Sequence, residues 1–152
     1  MNYCRLHAQD EKHTELKIGF GASMFNLTEY LVNESDYGFS NTIYMPIDVG
    51  KNFRFEPNIS LMKSGDEKFG ILGAGFFFKK PIENYNILIG SRFGMTTNGV
   101  SMTIIAPTIG GEYFFFRKFS IGAEVQYFGL LGDKKGDNFW ATNTNILVRF
   151  FF

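Results

Sequence analysis

The feature that most constrains this chain is a strict apolar/polar alternation, repeated segment after segment with nothing of helical period between. Successive side chains of an extended strand point to opposite faces, so each such segment reads as a strand with one apolar face. From Thr14, Leu16, Ile18, Phe20, Ala22 and Met24 share one face, while Glu15, Lys17, Gly19, Gly21 and Ser23 share the other. The pattern returns in a second strand over about 41–50 (Ile47 and Val49 against Asp48) and a third from Phe53 to Met62. A fourth runs from Lys68 to Lys79 and a fifth from Tyr85 to Thr96. A sixth carries Ile105, Pro107, Ile109, Gly111 and Tyr113; a seventh carries Ile121, Ala123, Val125 and Tyr127; an eighth runs from Asn143 to Phe152. Pro57 lies inside the third strand, where a bulge or a lost ladder bond is expected rather than a break.

Turn residues separate these segments: Gly50-Lys51-Asn52, Ser64-Gly65-Asp66-Glu67, Lys80 to Asn84, Asn98 to Ser101, Phe116-Arg117-Lys118 and Gly132 to Asn138. The polar stretch from Asn26 to Ser40 is the longest connection. Sequential hairpins imply an antiparallel up-and-down order, and a meander of eight strands removes its edges by closing. The expected fold is all-β: an eight-stranded antiparallel up-and-down transmembrane β-barrel over 14–152. Residues 1–13 are expected to be the remnant of a signal peptide or a disordered head, because Leu6-His7-Ala8-Gln9 looks like a cleavage site. The hydrophobic segment of that signal is then expected upstream.

Composition agrees with a β protein. Nineteen Phe and seventeen Gly suit an aromatic-rich sheet rather than a helical bundle. The net charge is zero, which makes no electrostatic case for nucleic acid. No run of about 18 apolar residues occurs, but a barrel strand needs only about 9–11 alternating residues to span a bilayer.

Alternation alone does not say which face is inside. Three features point to a polar lumen and an apolar exterior. The polar face is rich in glycine (Gly19, Gly21, Gly73, Gly75, Gly90, Gly110, Gly122), which a crowded interior needs and a solvated face does not. Its charges balance: Lys17, Arg54, Arg92 and Arg149 against Asp48, Glu56, Glu112 and Glu124, as buried charges must. Aromatics crowd one end, at Phe53 and Phe55, Phe76 to Phe78, Tyr113 to Phe116, Phe119, and Phe150 to Phe152. That clustering is expected of a girdle at a membrane interface. With the N-terminus at the periplasmic end, the short turns at Lys51, Pro81 and Arg117 fall there and the longer connections fall outside.

The runs Pro107-Thr-Ile-Gly-Gly-Glu-Tyr-Phe114 and Phe119-Ser-Ile-Gly-Ala-Glu-Val-Gln-Tyr127 resemble the small outer-membrane β-barrel proteins widespread in Bacteroidota. So do Arg54-Phe-Glu-Pro57 and Ile89-Gly-Ser-Arg-Phe-Gly94. The likeness covers nearly all of 14–152 and implies a porin-like barrel domain of OmpA/OmpX size in the cell outer membrane. It implies outer-membrane lipids as surroundings, the barrel-insertion machinery as a partner during biogenesis, and Phe152 as the insertion signal that machinery reads. A monomer is expected.

Residues for chemistry are few. His7 and His13 lie in the polar head, Cys4 has no partner cysteine, and no metal, nucleophile-elbow or phosphate-loop motif occurs. No catalytic residue, cofactor or metal site is therefore expected. Glu112 and Glu124 with Arg92 and Arg149 read as a lumen plug, or, on the sharper reading, as a gate. Glu67, Asp133 and Asp137 read as solvated loop charges in preference to a cation site. A structural or surface-interaction role follows. The alternatives are a soluble lipocalin-like barrel binding a small apolar ligand, and a lipid-modifying enzyme; Ser35 and Ser40 would serve the latter, but no His accompanies them.

Overall fold

The structure, a computed structural model, describes residues 16–26, 37–64, 67–97, 102–132 and 138–152. Nine strand segments follow in chain order: β1 (Leu16–Asn26), β2 (Tyr37–Tyr44), β3 (Ile47–Val49), β4 (Phe53–Ser64), β5 (Glu67–Ile82), β6 (Tyr85–Thr96), β7 (Met102–Phe116), β8 (Phe119–Gly132) and β9 (Phe139–Phe151). Every pairing is antiparallel: β1 and β4 each pair both β2 and β3, from β4 onward each segment pairs the next, and β1 also pairs β9, from Gly19↔Phe151 to Asn26↔Asn145. The sheet therefore closes on itself.

The barrel has eight strands because β2 and β3 are two parts of one. Both pair β1 on one side and β4 on the other, without a change of register across Met45-Pro46. Pro46 has no N–H to give, yet its carbonyl accepts from Gly19 N–H at 2.8 Å, and Met45 N–H donates to Pro57 O at 2.9 Å. The interruption thus falls at Pro46, where the alternation gave no warning. Pairing with β5 runs in step through Pro57, which faces Ala74, so no bulge forms there. Register shifts lie instead at Ser23/Phe25, Ser40/Thr42 and Phe114/Phe116.

One end of the barrel is closed by tight turns. Gly50 adopts the left-handed conformation (φ 65°) between β3 and β4, and Glu83 does so (φ 50°) in the two-residue link from β5 to β6. Arg117-Lys118 joins β7 to β8. The chain enters β1 and leaves β9 at this same end. At the other end β4 and β5 stay paired out to Ser64↔Glu67, so the strands reach further there than the alternation suggests.

The walls have opposite character. Outward positions such as Phe20, Ile59, Leu72, Ile89, Ile109 and Val125 are apolar and exposed. By strand parity the charged residues at outward positions are Lys80, beside the tight turn, and Lys63 and Lys68, which pair with each other near the opposite end. Rings follow one another around the tight-turn end: Phe53–Phe78 and Tyr85–Tyr113 at 4.8 Å, Tyr113–Phe115 at 4.8 Å, Phe115–Phe119 at 6.0 Å and Phe119–Phe150 at 4.8 Å. Three aromatics expected in that girdle lie on the inward side of their strands instead: Phe77 and Phe151, both buried, and the partly buried Phe114. Their parity in the strand puts them on the lumen side. Tyr127 and Trp140 stack at 5.4 Å on the outer wall near the opposite end.

Candidate functional site

The interior is built in layers. Nearest the tight turns, the Asp48 carboxylate of β3 accepts from Arg54 Nε at 2.6 Å and from Lys79 Nζ at 2.5 Å. Arg54 turns its other edge to Glu112 (Nη2 to Oε1, 2.7 Å), and Glu112 also accepts from Asn86 at 2.8 Å and from the Ser120 hydroxyl at 3.3 Å. At mid-barrel Arg149 bonds three carboxylates: Glu124 at 2.6 Å, Glu56 at 3.1 Å and Glu112 at 3.4 Å. Arg92 joins Glu56 at 2.6 Å and Glu124 at 2.8 Å.

These residues come from β3 to β9, yet they form one connected network. Lys79, Arg54, Arg149 and Arg92 balance Asp48, Glu112, Glu56 and Glu124. All are buried, with Glu56 fully so. Charges removed from water must be paired and hydrogen-bonded, and the alternation of sign along this chain of contacts does that.

Glycine makes the room. A Cβ on Gly110 would stand 2.7 Å from Glu124 Cγ, one on Gly21 2.8 Å from Arg149 Cγ, and one on Gly122 3.1 Å from Arg149 Nη1. The inward glycines are thus the spaces that long charged side chains occupy from neighbouring strands.

Arg92 also lies between two rings, its guanidinium carbon 4.6 Å from the Tyr44 centroid and 4.9 Å from that of Phe77. Its Nη1 is buried with no hydrogen-bond partner. Beyond it, toward the longer connections, is a cavity of about 40 Å³ edged by Thr42, Asn58, Ser60, Gln126 and Asn143. The interior then becomes apolar, with Ile71, Ile104, Ala106, Phe128 and Leu130 packed together. The lumen is therefore polar in its tight-turn and middle layers and apolar toward the other end.

Of the residues picked out from sequence, Asp48, Arg54, Glu56, Arg92, Glu112, Glu124 and Arg149 meet in this network. Lys17 lies level with Asp48 in the β1–β3 ladder and is exposed at the mouth, while Lys79 of β5, not singled out from sequence, bonds Asp48 directly. Lys79 was legible: it is the last residue of the fourth strand and shares the inward parity of Gly75 and Phe77. Phe152 stands exposed at the tight-turn rim, its N–H donating to Ile18 O at 2.9 Å. Cys4, His7, His13, Ser35, Asp133 and Asp137 lie outside the described residues, as do the side chains of Ser40 and Glu67.

The fold and its interior define a class: a small, closed, eight-stranded antiparallel barrel with a charge-paired lumen. No family model matches the chain, and no curated protein matches it.

Proposed function

We propose that this chain is an integral outer-membrane β-barrel with a side-chain-filled polar lumen, serving envelope structure or surface interaction rather than catalysis. One observation carries the reading: the exposed wall is apolar while the charges are gathered and paired inside. A protein dissolved in water gains nothing from that distribution, whereas a barrel in hydrocarbon requires it. The ring of aromatics at the tight-turn end supports an interface there, with that end toward the periplasm and the longer connections outward. The likeness to small Bacteroidota barrels, porin-like in domain type, favours the same location. It also favours signal-directed export, lipids as neighbours, a monomeric state and Phe152 as the mark read by the insertion machinery.

The rival is a soluble lipocalin-like barrel, which needs an apolar calyx for its ligand. The apolar layer here leaves about 40 Å³ beside it, room for a few waters and no ligand. The test is to place a charge on the wall. Ile89→Arg at an exposed outward position is expected to cost about 2–4 kcal/mol of stability in a bilayer and to hinder folding into lipid vesicles. A soluble barrel would accept the same change with no loss.

A further inference from the structure

The tight-turn mouth opens into a cup of about 1130 Å³ that the charge network leaves unfilled. Its floor is the Asp48–Lys79 pair, so it is blind. Phe114 and Phe151 contribute aromatic wall. Lys51, Arg117 and Lys118 stand exposed on its rim, and none of the three makes an ion pair with a described residue. Glu83 is the rim's acidic group.

We propose that this cup docks an acidic peptide segment of a partner in the aqueous space at the tight-turn end. The inference rests on the membrane reading above, which gives that end its aqueous side. Three considerations lead to it. The unpaired cations outnumber Glu83, and a concavity with low-dielectric walls focuses such a field on an anion. Asp48, Lys79, Asn86, Phe114 and Phe151 line the cup's depth from inside the sheet while Tyr113 and Phe115 of the girdle only edge it, so a headgroup would meet the outer wall and the rim before the floor. Its volume also exceeds the roughly 300–1,000 Å³ of ordinary small-molecule sites, which suits a stretch of polymer. The sealed floor means that what enters is held and not passed through.

The experiment uses the full chain folded in a zwitterionic detergent, with fluorescently labelled hexaglutamate followed by anisotropy. Saturable binding is expected, weakening as salt rises from about 50 to about 200 mM. The triple variant K51E/R117E/K118E is expected to bind about tenfold or more weakly. These side chains are exposed in turns, so the variant keeps the barrel, which its gel mobility before heating checks. Equal binding by the variant, or no binding at the lower salt, overturns the proposal. Displacement by citrate at the same concentration as by unlabelled peptide also overturns it, in favour of a small-polyanion site. Loss of binding in phosphatidylglycerol nanodiscs but not in zwitterionic ones overturns it in favour of lipid headgroups. A barrel that folds normally yet fails to bind peptide counts against the cup alone, leaving the membrane reading intact.

Discussion

Arg149 is the side chain whose loss the structure makes most informative. Its guanidinium bonds Glu56, Glu112 and Glu124, and each of those carboxylates keeps one other guanidinium when it is gone: Arg92 for Glu56 and Glu124, Arg54 for Glu112. Arg149→Leu therefore leaves one uncompensated negative charge shared across three sites rather than one stranded carboxylate. Breaking a buried pair costs about 3–5 kcal/mol, and the shared compensation puts this case near the lower figure. About 3 kcal/mol shifts the folded-to-unfolded ratio by roughly two orders of magnitude. Removing Glu124 as well restores neutrality, so Arg149→Leu/Glu124→Leu is expected to be less destabilised than the two single losses added together. A coupling of about 1–3 kcal/mol is the scale for residues in one network. Urea unfolding in detergent micelles, followed by tryptophan fluorescence of Trp140 on the outer wall, measures all four proteins. Simple additivity, or a single variant no less stable than the parent, would refute the reasoning that these charges act as one paired unit.

Other outcomes follow from the same packing. Gly90→Ala places a Cβ 1.9 Å from Phe76 O and is expected to cost about 1–3 kcal/mol or prevent folding, read by heat-modifiability on gels. Gly111→Ala, outward and 3.7 Å from its nearest neighbour atom, is expected to be tolerated or to stabilise the strand by about 0.5–1 kcal/mol in the same assay. In planar bilayers the parent is expected to show no steady conductance, because the Glu56–Arg149–Glu124 layer occupies mid-lumen; persistent open steps would favour a gate instead. Phe152→Ser is expected to lower assembly in cells while leaving refolding into detergent unchanged, and equal loss in both would assign Phe152 a packing role.

Much of the barrel was legible because its period is two and its exterior is largely apolar. A run such as Phe53 to Met62 admits one reading, and the turn residues at Gly50 and Arg117 mark where it reverses. The breaks were not legible. Pro57 attracts attention in sequence yet sits in an unbroken ladder, while Pro46 interrupts the second strand; an edge or bulge rule for proline does not know which neighbour its carbonyl serves. Inward parity found seven of the network's residues, because a charge opposite a glycine-rich face has few places to go. It missed Lys79, which bonds Asp48, since parity says nothing of depth along the barrel axis. Nor does it separate the charged layers from the apolar one, where Ile71 and Phe128 share the inward face with Arg92. The cup at the mouth is a property of closure, assembled from turns far apart in the chain.

The central claim is that the apolar wall faces lipid. Fractionation of cells expressing the chain, with carbonate washing and detergent extraction of the envelope, tests it most directly. The folded, heat-modifiable barrel is expected in the outer-membrane fraction, resistant to carbonate and released by detergent. A folded monomer recovered in detergent-free aqueous buffer would contradict it.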